Sequence, residues 1–336
     1  EALLLPVSAR TPTALRSAAG RLADFIDASK EPLFDIAYTA ACRRSHLEHR
    51  LLLRGNDRAE IIRNLRRFAD GAAVDTVITS GAVVARQPKV AFVFSGNGAQ
   101  WIGMGVQLLA RDAVFAAAVR RVDAIVKAKR GWSVIQELQA PAAQSRIALT
   151  EYAQPLLFAI QVGLVEALAA RGLTADGVIG HSVGEIAAAW AAGALDLEQA
   201  VHVILERSAA QEKTRGLGRM AAAGIDADRA ALEIARYNGA IELAAINSQQ
   251  AVTLSGDAEA LIELGEKLKL EGKHYQILDL DYAFHNRCLE PVRDGLQAAL
   301  QGLQPADGRL PFYSTVAGAK RPGSELTAGY WWRNVR

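Results

Sequence analysis

Gly177-Val-Ile-Gly-His-Ser-Val-Gly-Glu-Ile-Ala-Ala-Ala-Trp-Ala-Ala192 is the stretch whose reading decides the fold. Gly177 to Gly180 is a short apolar run of the kind that forms a buried parallel strand. It passes through His181-Ser182 into an alanine-rich helical pattern. The pentapeptide Gly180-His-Ser-Val-Gly184 has the form GxSxG, and its glycines permit the tight, strained turn that lifts a serine Oγ clear of the backbone at a helix start. The first free N–H groups of that helix, including that of Val183, point at any oxyanion formed on the serine. Upstream, Lys89-Val-Ala-Phe-Val-Phe-Ser-Gly96 is a second apolar run ending in a glycine loop, as expected of a buried strand that feeds a ligand site. Helical patterns over 103–109, 113–127 and 154–170 separate the two strands, and this alternation predicts an α/β core.

Beyond residue 218 the rhythm changes. Strands over 220–225, 241–246, 251–255 and 274–278 and helices over 228–237 and 258–271 follow the order βαββαβ, a ferredoxin-like split unit inserted into the larger core. The chain then returns to the core through 281–295 and a strand over 310–316. The first 86 residues read as a small α/β domain, with an apolar run at 3–7, helices over 12–28, 33–43 and 58–68, and a strand over 49–53. The expected domains are therefore 1–86, a core made of 87–218 and 281–336, and the subdomain 219–280. Between Arg43 and Arg67 there are eight arginines against three acids (Glu48, Asp57, Glu60), which reads either as a solvated helix face or as a docking patch for an acidic protein.

Composition narrows the function classes. Half of the 336 residues (51%) are hydrophobic and 22% are charged, enough for a packed core and too apolar for disorder. Lys plus Arg (38) nearly balance Asp plus Glu (36), so no nucleic-acid or membrane partner is expected from the overall field. Two cysteines, Cys42 and Cys288, lack any metal-ligand spacing, which argues against a zinc site and for a cytoplasmic location. No uninterrupted apolar stretch reaches the roughly 18 residues of a membrane span. The start, Glu1-Ala-Leu-Leu-Leu-Pro6, has no initiator Met and reads as a segment of a longer polypeptide.

A nucleophilic serine needs a base. Of the six histidines, His46 and His49 fall in the first domain and His274 in the inserted one. His202 sits inside a helical pattern, and His181 adjoins the serine but projects differently and is expected to support the site. His285, in Asp281-Tyr-Ala-Phe-His-Asn286, follows the return to the core and is the base by elimination. Asp257, Asp279 and Asp281 lie between serine and histidine, but none has the context of an orienting acid.

Phe94-Ser-Gly-Asn-Gly-Ala-Gln-Trp-Ile-Gly-Met-Gly105, Gln154-Pro155, Gly180-His-Ser-Val-Gly-Glu185, Arg207, Asn247-Ser248 and Tyr282-Ala-Phe-His285 occur in one order. Together they resemble the acyltransferase domain of type I polyketide synthases, related to malonyl-CoA:acyl-carrier-protein transacylases. The first domain resembles the linker between ketosynthase and acyltransferase, and Tyr330-Trp-Trp-Arg-Asn334 resembles the stretch near the domain's end. The resemblance implies an α/β-hydrolase-like core. It implies that Ser182 takes an acyl group from acyl-CoA as an ester, with His285 as general base and then acid, in a ping-pong exchange that ends on the phosphopantetheine thiol of an acyl carrier protein. No cofactor is implied on the chain itself, and an adjacent ketosynthase domain is implied in the same polypeptide. Arg207 would grip the extender's free carboxylate with its planar fork. The backbone N–H groups of Asn97 and Val183 would form the oxyanion hole, and Gln154, His181, Asn247, Tyr282 and Phe284 would line the pocket.

Tyr282-Ala-Phe-His285 is a hybrid of the family's malonyl and methylmalonyl patterns. Phe284 is bulky enough to fill the place of an α-methyl group, and Val183 after the nucleophile leans the same way, so malonyl-CoA is the expected donor and methylmalonyl-CoA the second. Two departures stand out. Asn97 occupies a position where the family usually has Gln. The family also continues past the equivalent of Arg336 with a strand near the active site, so the group orienting His285, a backbone carbonyl in the family, is not expected within these residues. A serine hydrolase or thioesterase on the same elbow is the alternative, but it has no use for a carboxylate clamp. A purely structural docking module is a third reading, against which the intact Ser182, His285 and Arg207 speak.

Overall fold

The computed structural model describes residues 2–72, 78–83 and 88–336. By contact density the chain separates into two compact units, Glu1–Pro88 and Lys89–Arg336. The expected domain boundary at 86/87 lies outside the described residues.

In the first unit, β1 (Leu3–Ala9), α1 (Pro12–Ala28), α2 (Leu33–Cys42), β2 (His49–Gly55), α3 (Arg58–Ala69) and β3 (Ile78–Ala82) form an antiparallel sheet of order β1-β2-β3 with its helices. Alternation along the strands sends Leu5, Val7, Leu51 and Leu53 inward, where they meet Leu15, Ala19, Ile26, Ile61 and Leu65 of the helices. Strand β3 has the sequence Ile-Thr-Ser-Gly-Ala, too short and polar to announce itself. The arginine cluster divides once folded. Arg58 donates to the carbonyls of Ile26, Ser29 and Glu31, and Arg66 pairs with Asp24 and Asp27 at 3.3 and 2.8 Å. These two tie α3 to α1 and the turn after it, while Arg50 and Arg54 lie exposed on β2.

The second unit begins with β4 (Ala91–Phe94), followed by α4 (Val106–Arg111), α5 (Ala113–Arg130), α6 (Val134–Leu138) and α7 (Thr150–Ala169). Then come β5 (Gly177–Gly180), α8 (Gly184–Ala192) and α9 (Leu197–Glu212). The inserted segment holds β6 (Arg219–Ala223), α10 (Ala227–Ile234), β7 (Ile241–Ser248), β8 (Ala251–Gly256), α11 (Ala258–Leu270) and β9 (Tyr275–Ile277). The chain closes with α12 (Arg293–Ala299), β10 (Phe312–Ser314), β11 (Ala319–Arg321) and α13 (Ala328–Val335). The main sheet has the order β11-β10-β5-β4, in which β10, β5 and β4 run parallel and β11 is antiparallel. The small sheet has the order β7-β8-β6-β9 and is antiparallel throughout, the ferredoxin-like arrangement. This is the α/β class expected from the sequence.

Helix α4 begins at Val106 rather than at 103 because Gly103 and Gly105 take left-handed φ values of 86° and 76°. Helix α7 starts a turn earlier than expected, at Thr150, where buried Thr150 and Ala153 hold an extra turn in front of Pro155. With 20 residues α7 is long and apolar enough to cross a membrane, yet Ala153 to Gly163 are all buried in the core. It is the central helix of the unit, next to α5 and α9. The start of α9 carries a capping box: Asp196 Oδ1 accepts from the Gln199 N–H at 2.7 Å, and Gln199 Oε1 accepts from the Asp196 N–H at 3.3 Å.

Candidate active site

The elbow between β5 and α8 is set by steric exclusion. A Cβ on Gly180 would lie 2.2 Å from the Glu185 nitrogen, and one on Gly184 would lie 2.3 Å from the Phe94 carbonyl oxygen of β4. Only glycine lets the helix start this close to two strands. Between them Ser182 is held at φ 51°, and across the site His285 is held at φ 59°. Both are left-handed backbone conformations that cost side-chain-bearing residues of order 1–3 kcal/mol, the kind of strain that surrounding packing sustains at reactive positions.

His285 Nε2 lies 3.0 Å from Ser182 Oγ, and its Nδ1 lies 2.9 Å from the carbonyl oxygen of Val335. A carbonyl only accepts, so Nδ1 carries the proton and the Nε2 lone pair faces the serine hydroxyl. Val335 is the last residue of α13, so the group that orients His285 lies inside the chain. This corrects the expectation that it would be absent, and a backbone carbonyl leaves no residue-type signal by which to find it. Burial first, then the Arg207 charge, pushes the His285 imidazole down to about 4, against the Val335 bond, so it is neutral at neutral pH with its Nε2 lone pair free.

Arg207, on α9 25 residues after Ser182, is 1% exposed. Its Nη2 donates to Ser182 Oγ at 3.0 Å, its Nη1 to Gln154 Oε1 at 2.7 Å and Gln211 Oε1 at 2.8 Å, and its Nε to Asn334 Oδ1 at 3.0 Å. Burial pushes the guanidinium down to about 9, opposed by the field of Glu185, so it stays charged at neutral pH. Gln154 Nε2 also donates to Gln211 Oε1 at 2.8 Å. The serine oxygen thus accepts from a cation and donates to a neutral base.

The glycine loop approaches the elbow closely. A Cβ on Gly96 would meet the His181 carbonyl oxygen at 2.7 Å and its Nδ1 at 2.8 Å, and Gln161 Nε2 anchors the loop by donating to the Ser95 carbonyl at 2.9 Å. Among the described residues the backbone N–H groups of Asn97 and Val183 donate to no protein acceptor, and Asn97 Oδ1 is buried without a partner. Tyr282 and Phe284 stack with centroids 4.9 Å apart and planes 9° off parallel, packed with Met220. The Tyr282 hydroxyl donates to Glu212 Oε2 at 2.7 Å and accepts from the Thr150 N–H at 3.3 Å. Asn247 stands apart: it is exposed on β7 and donates to Thr253 Oγ1 at 2.8 Å, with no bond to Ser182, His285 or Arg207.

Four residues of the site were given no role from the sequence: Val335 and Gln211, which no motif named, and Glu185 and Asn334, which stood in the quoted motifs. Gln211 had a usable signal, since it lies one helical turn after Arg207. Glu185 follows the elbow motif, is fully buried, and accepts from Thr315, Tyr330 and Asn334. Asn334 Nδ2 also donates to the Ser182 carbonyl at 3.0 Å. Arg336 braces the base from behind, with Nη1 2.9 Å from Glu242 and 3.4 Å from the His285 carbonyl oxygen.

A strained serine on an elbow, a neutral histidine and a buried arginine converge on one oxygen, and comparison with known proteins places the arrangement. The family described as acyl transferase domain matches residues 91–336, and the family described as CurL-like, PKS C-terminal matches residues 3–65. The chain belongs to the acyl transferase domain family, in the form carried by polyketide synthases, and is an acyltransferase. It is 36% identical over 333 residues to erythronolide synthase EryA2 of Saccharopolyspora erythraea, an alignment covering 99% of this chain and 9% of the synthase. It is 35% identical over 334 residues to mycoketide-CoA synthase of Mycobacterium tuberculosis, covering 98% of this chain and 8% of that protein. The acyltransferase domain from module 8 of the salinomycin polyketide synthase superposes with a TM-score of 0.92 at 34% identity, covering 100% of this chain and 79% of that one. The acyl transferase domain of SpnD, solved in complex with 2-(pent-4-yn-1-yl)malonyl, gives a TM-score of 0.86 at 29% identity and covers 100% and 78%.

Proposed function

We propose that the chain loads a malonyl-type extender unit from its CoA thioester onto Ser182 and passes it to the phosphopantetheine thiol of an acyl carrier protein. The observation that carries this reading is the position of Ser182 Oγ, 3.0 Å from His285 Nε2 and 3.0 Å from Arg207 Nη2. His285 Nε2 takes the hydroxyl proton as Oγ attacks the thioester carbonyl, and the oxyanion collects the N–H groups of Asn97 and Val183. Collapse forms the serine ester and breaks the C–S bond, and the proton on His285 passes to the departing CoA sulfur. In the second half the carrier's thiol gives its proton to His285 and attacks the ester, and Ser182 recovers the proton.

Arg207 sets the substrate class. Four of its five N–H groups are engaged by Ser182, Gln154, Gln211 and Asn334, which leaves one on Nη2. A carboxylate takes that hydrogen and displaces one glutamine from Nη1, giving a two-point grip. Malonyl-CoA is the favoured donor and methylmalonyl-CoA the second. The stack on Tyr282 holds Phe284 at 5% exposure beside the base, so its ring has little freedom to make room for an α-methyl group. Excluding one methyl this way is worth about 1–3 kcal/mol. The malonyl derivative bound to the SpnD domain supports a dicarboxylic acyl group as the ligand class. Relatives many times longer than this chain support a ketosynthase and a carrier as neighbours in one polypeptide. Cys42 and Cys288 are both free thiols, in keeping with a reducing cytoplasm.

The test is intact-protein mass after brief exposure to equimolar malonyl-, methylmalonyl- and acetyl-CoA, beside Ser182→Ala. A malonyl-sized adduct on the wild type alone is expected. A methylmalonyl adduct overturns the role given to Phe284, and rapid CoA release with no adduct points to a hydrolase.

A further inference from the structure

Glu185 is a carboxylate with 0% exposure and, among the described residues, no ion pair. Its Oε1 accepts from the backbone N–H and the hydroxyl of Thr315, and its Oε2 accepts from the Tyr330 hydroxyl at 2.7 Å and from Asn334 Nδ2 at 2.9 Å. These bonds repay part of the desolvation of a buried anion, but neutral donors do not cancel its charge. The cation that answers it is one residue away: Asn334 Oδ1 accepts from Arg207 Nε at 3.0 Å while its Nδ2 donates to Glu185. The orientation of that amide is fixed, since Nδ2 meets only acceptors and Oδ1 only a donor.

We propose that Glu185 is the counter-ion of the carboxylate clamp, acting through Asn334 to hold the Arg207 fork aimed at Ser182. Glu185 is a positioning residue, and the inference rests on Arg207 holding the extender's carboxylate. Gln154 from α7, Gln211 from α9 and Asn334 from α13 surround the guanidinium without bringing any charge. Among the described residues, the charged and titratable groups around the pair are His285, which feels Arg207, His181 and Arg336, and Tyr330, which feels Glu185 and Arg333. Among the described residues only Glu185 acts on Arg207 as an opposing charge, and its field opposes the effect of burial on the guanidinium. A counter-ion one amide away, rather than in contact, leaves one Nη2 hydrogen of the fork for substrate and makes its grip reversible.

The experiment measures loading of Ser182 from malonyl-CoA and from acetyl-CoA between pH 6 and 10 in the wild type, Glu185→Gln and Glu185→Asp. With Gln the malonyl-to-acetyl loading ratio at pH 8.5 is expected to fall at least tenfold, and the alkaline limb of malonyl loading to move down by at least one pH unit. Asp keeps the charge and is expected to keep the limb near its wild-type position. A proportionate loss for both donors with an unmoved limb, or no change in either, overturns the proposal. Should Glu185→Gln fail to fold, Asn334→Leu cuts the link between Arg207 and Glu185. It is expected to lower the malonyl-to-acetyl loading ratio at pH 8.5 at least tenfold; an unchanged ratio overturns the proposal. If wild-type loading shows no preference for malonyl that Arg207→Ala removes, the clamp reading itself has failed, a result separate from either outcome for Glu185.

Discussion

In the proposed reading Arg207 has two jobs, binding a carboxylate and depressing the basicity of His285, and one substitution separates them. Arg207→Ala is expected to reduce malonyl loading at least a hundredfold, about 3 kcal/mol, and acetyl loading far less. Equal losses would remove the clamp assignment. The same variant removes a positive charge that disfavours the imidazolium. The His285 pKa should therefore rise from about 4 towards the ordinary histidine value, and the acid limb of acetyl loading should move to higher pH. An unmoved limb would mean that burial alone depresses the base. Ser182 and His285 were legible from the residues themselves, as a serine on an elbow and a histidine after the return to the core, whereas Arg207 was singled out by the resemblance to the family, which has an arginine on the next helix. The Val335 carbonyl was not legible, since every residue has one. Asn247, expected to line the pocket, is exposed on β7 and bonds Thr253, since a motif fixes order along the chain while the hairpin of β7 and β8 decides where that side chain ends up.

Elements meet here through missing side chains. Gly184→Ala would put a Cβ 2.3 Å from the Phe94 carbonyl oxygen and 2.7 Å from that of Ser95, both backbone atoms that move only if α8 and β4 separate. We expect a loss of at least about 2 kcal/mol in urea unfolding, with loss of acyl loading. Gly131, which closes α5 at φ 75°, has nothing within 4 Å of the point where an alanine methyl would stand, so Gly131→Ala should lose only about 1–2 kcal/mol from backbone strain and keep the site. A reversed order would refute close approach as the reason for the GxSxG spacing. The long periodic helices and the βαββαβ order were readable because period and punctuation survive in sequence. Strand β3, strand β11 and helix α13 were not, being short elements whose places are settled by tertiary pairing. Helix α13 mattered most, since it carries both Asn334 and Val335.

At the scale of the whole molecule, the site weighs on stability through its base. His285 is neutral in the folded chain down to about pH 4, whereas the unfolded chain protonates it near 6.5. Below 6.5 the unfolded state binds the extra proton, so stability should fall as pH drops through this window and level off below about 4 for this group. The expected size is of order 3 kcal/mol. His285→Gln should flatten urea midpoints between pH 6.5 and 4 relative to the wild type, and parallel curves would contradict it. The two ends of the reaction's proton path have a further property. Ser182 lies at the start of α8, and the imidazole leans on the last carbonyl of α13, so the reacting pair spans the positive pole of one helix and the negative pole of another. A catalytic dipole assembled from peptide groups is invisible to alanine scanning and cannot be deleted by exchanging side chains; mutation can only tilt the helices that carry it.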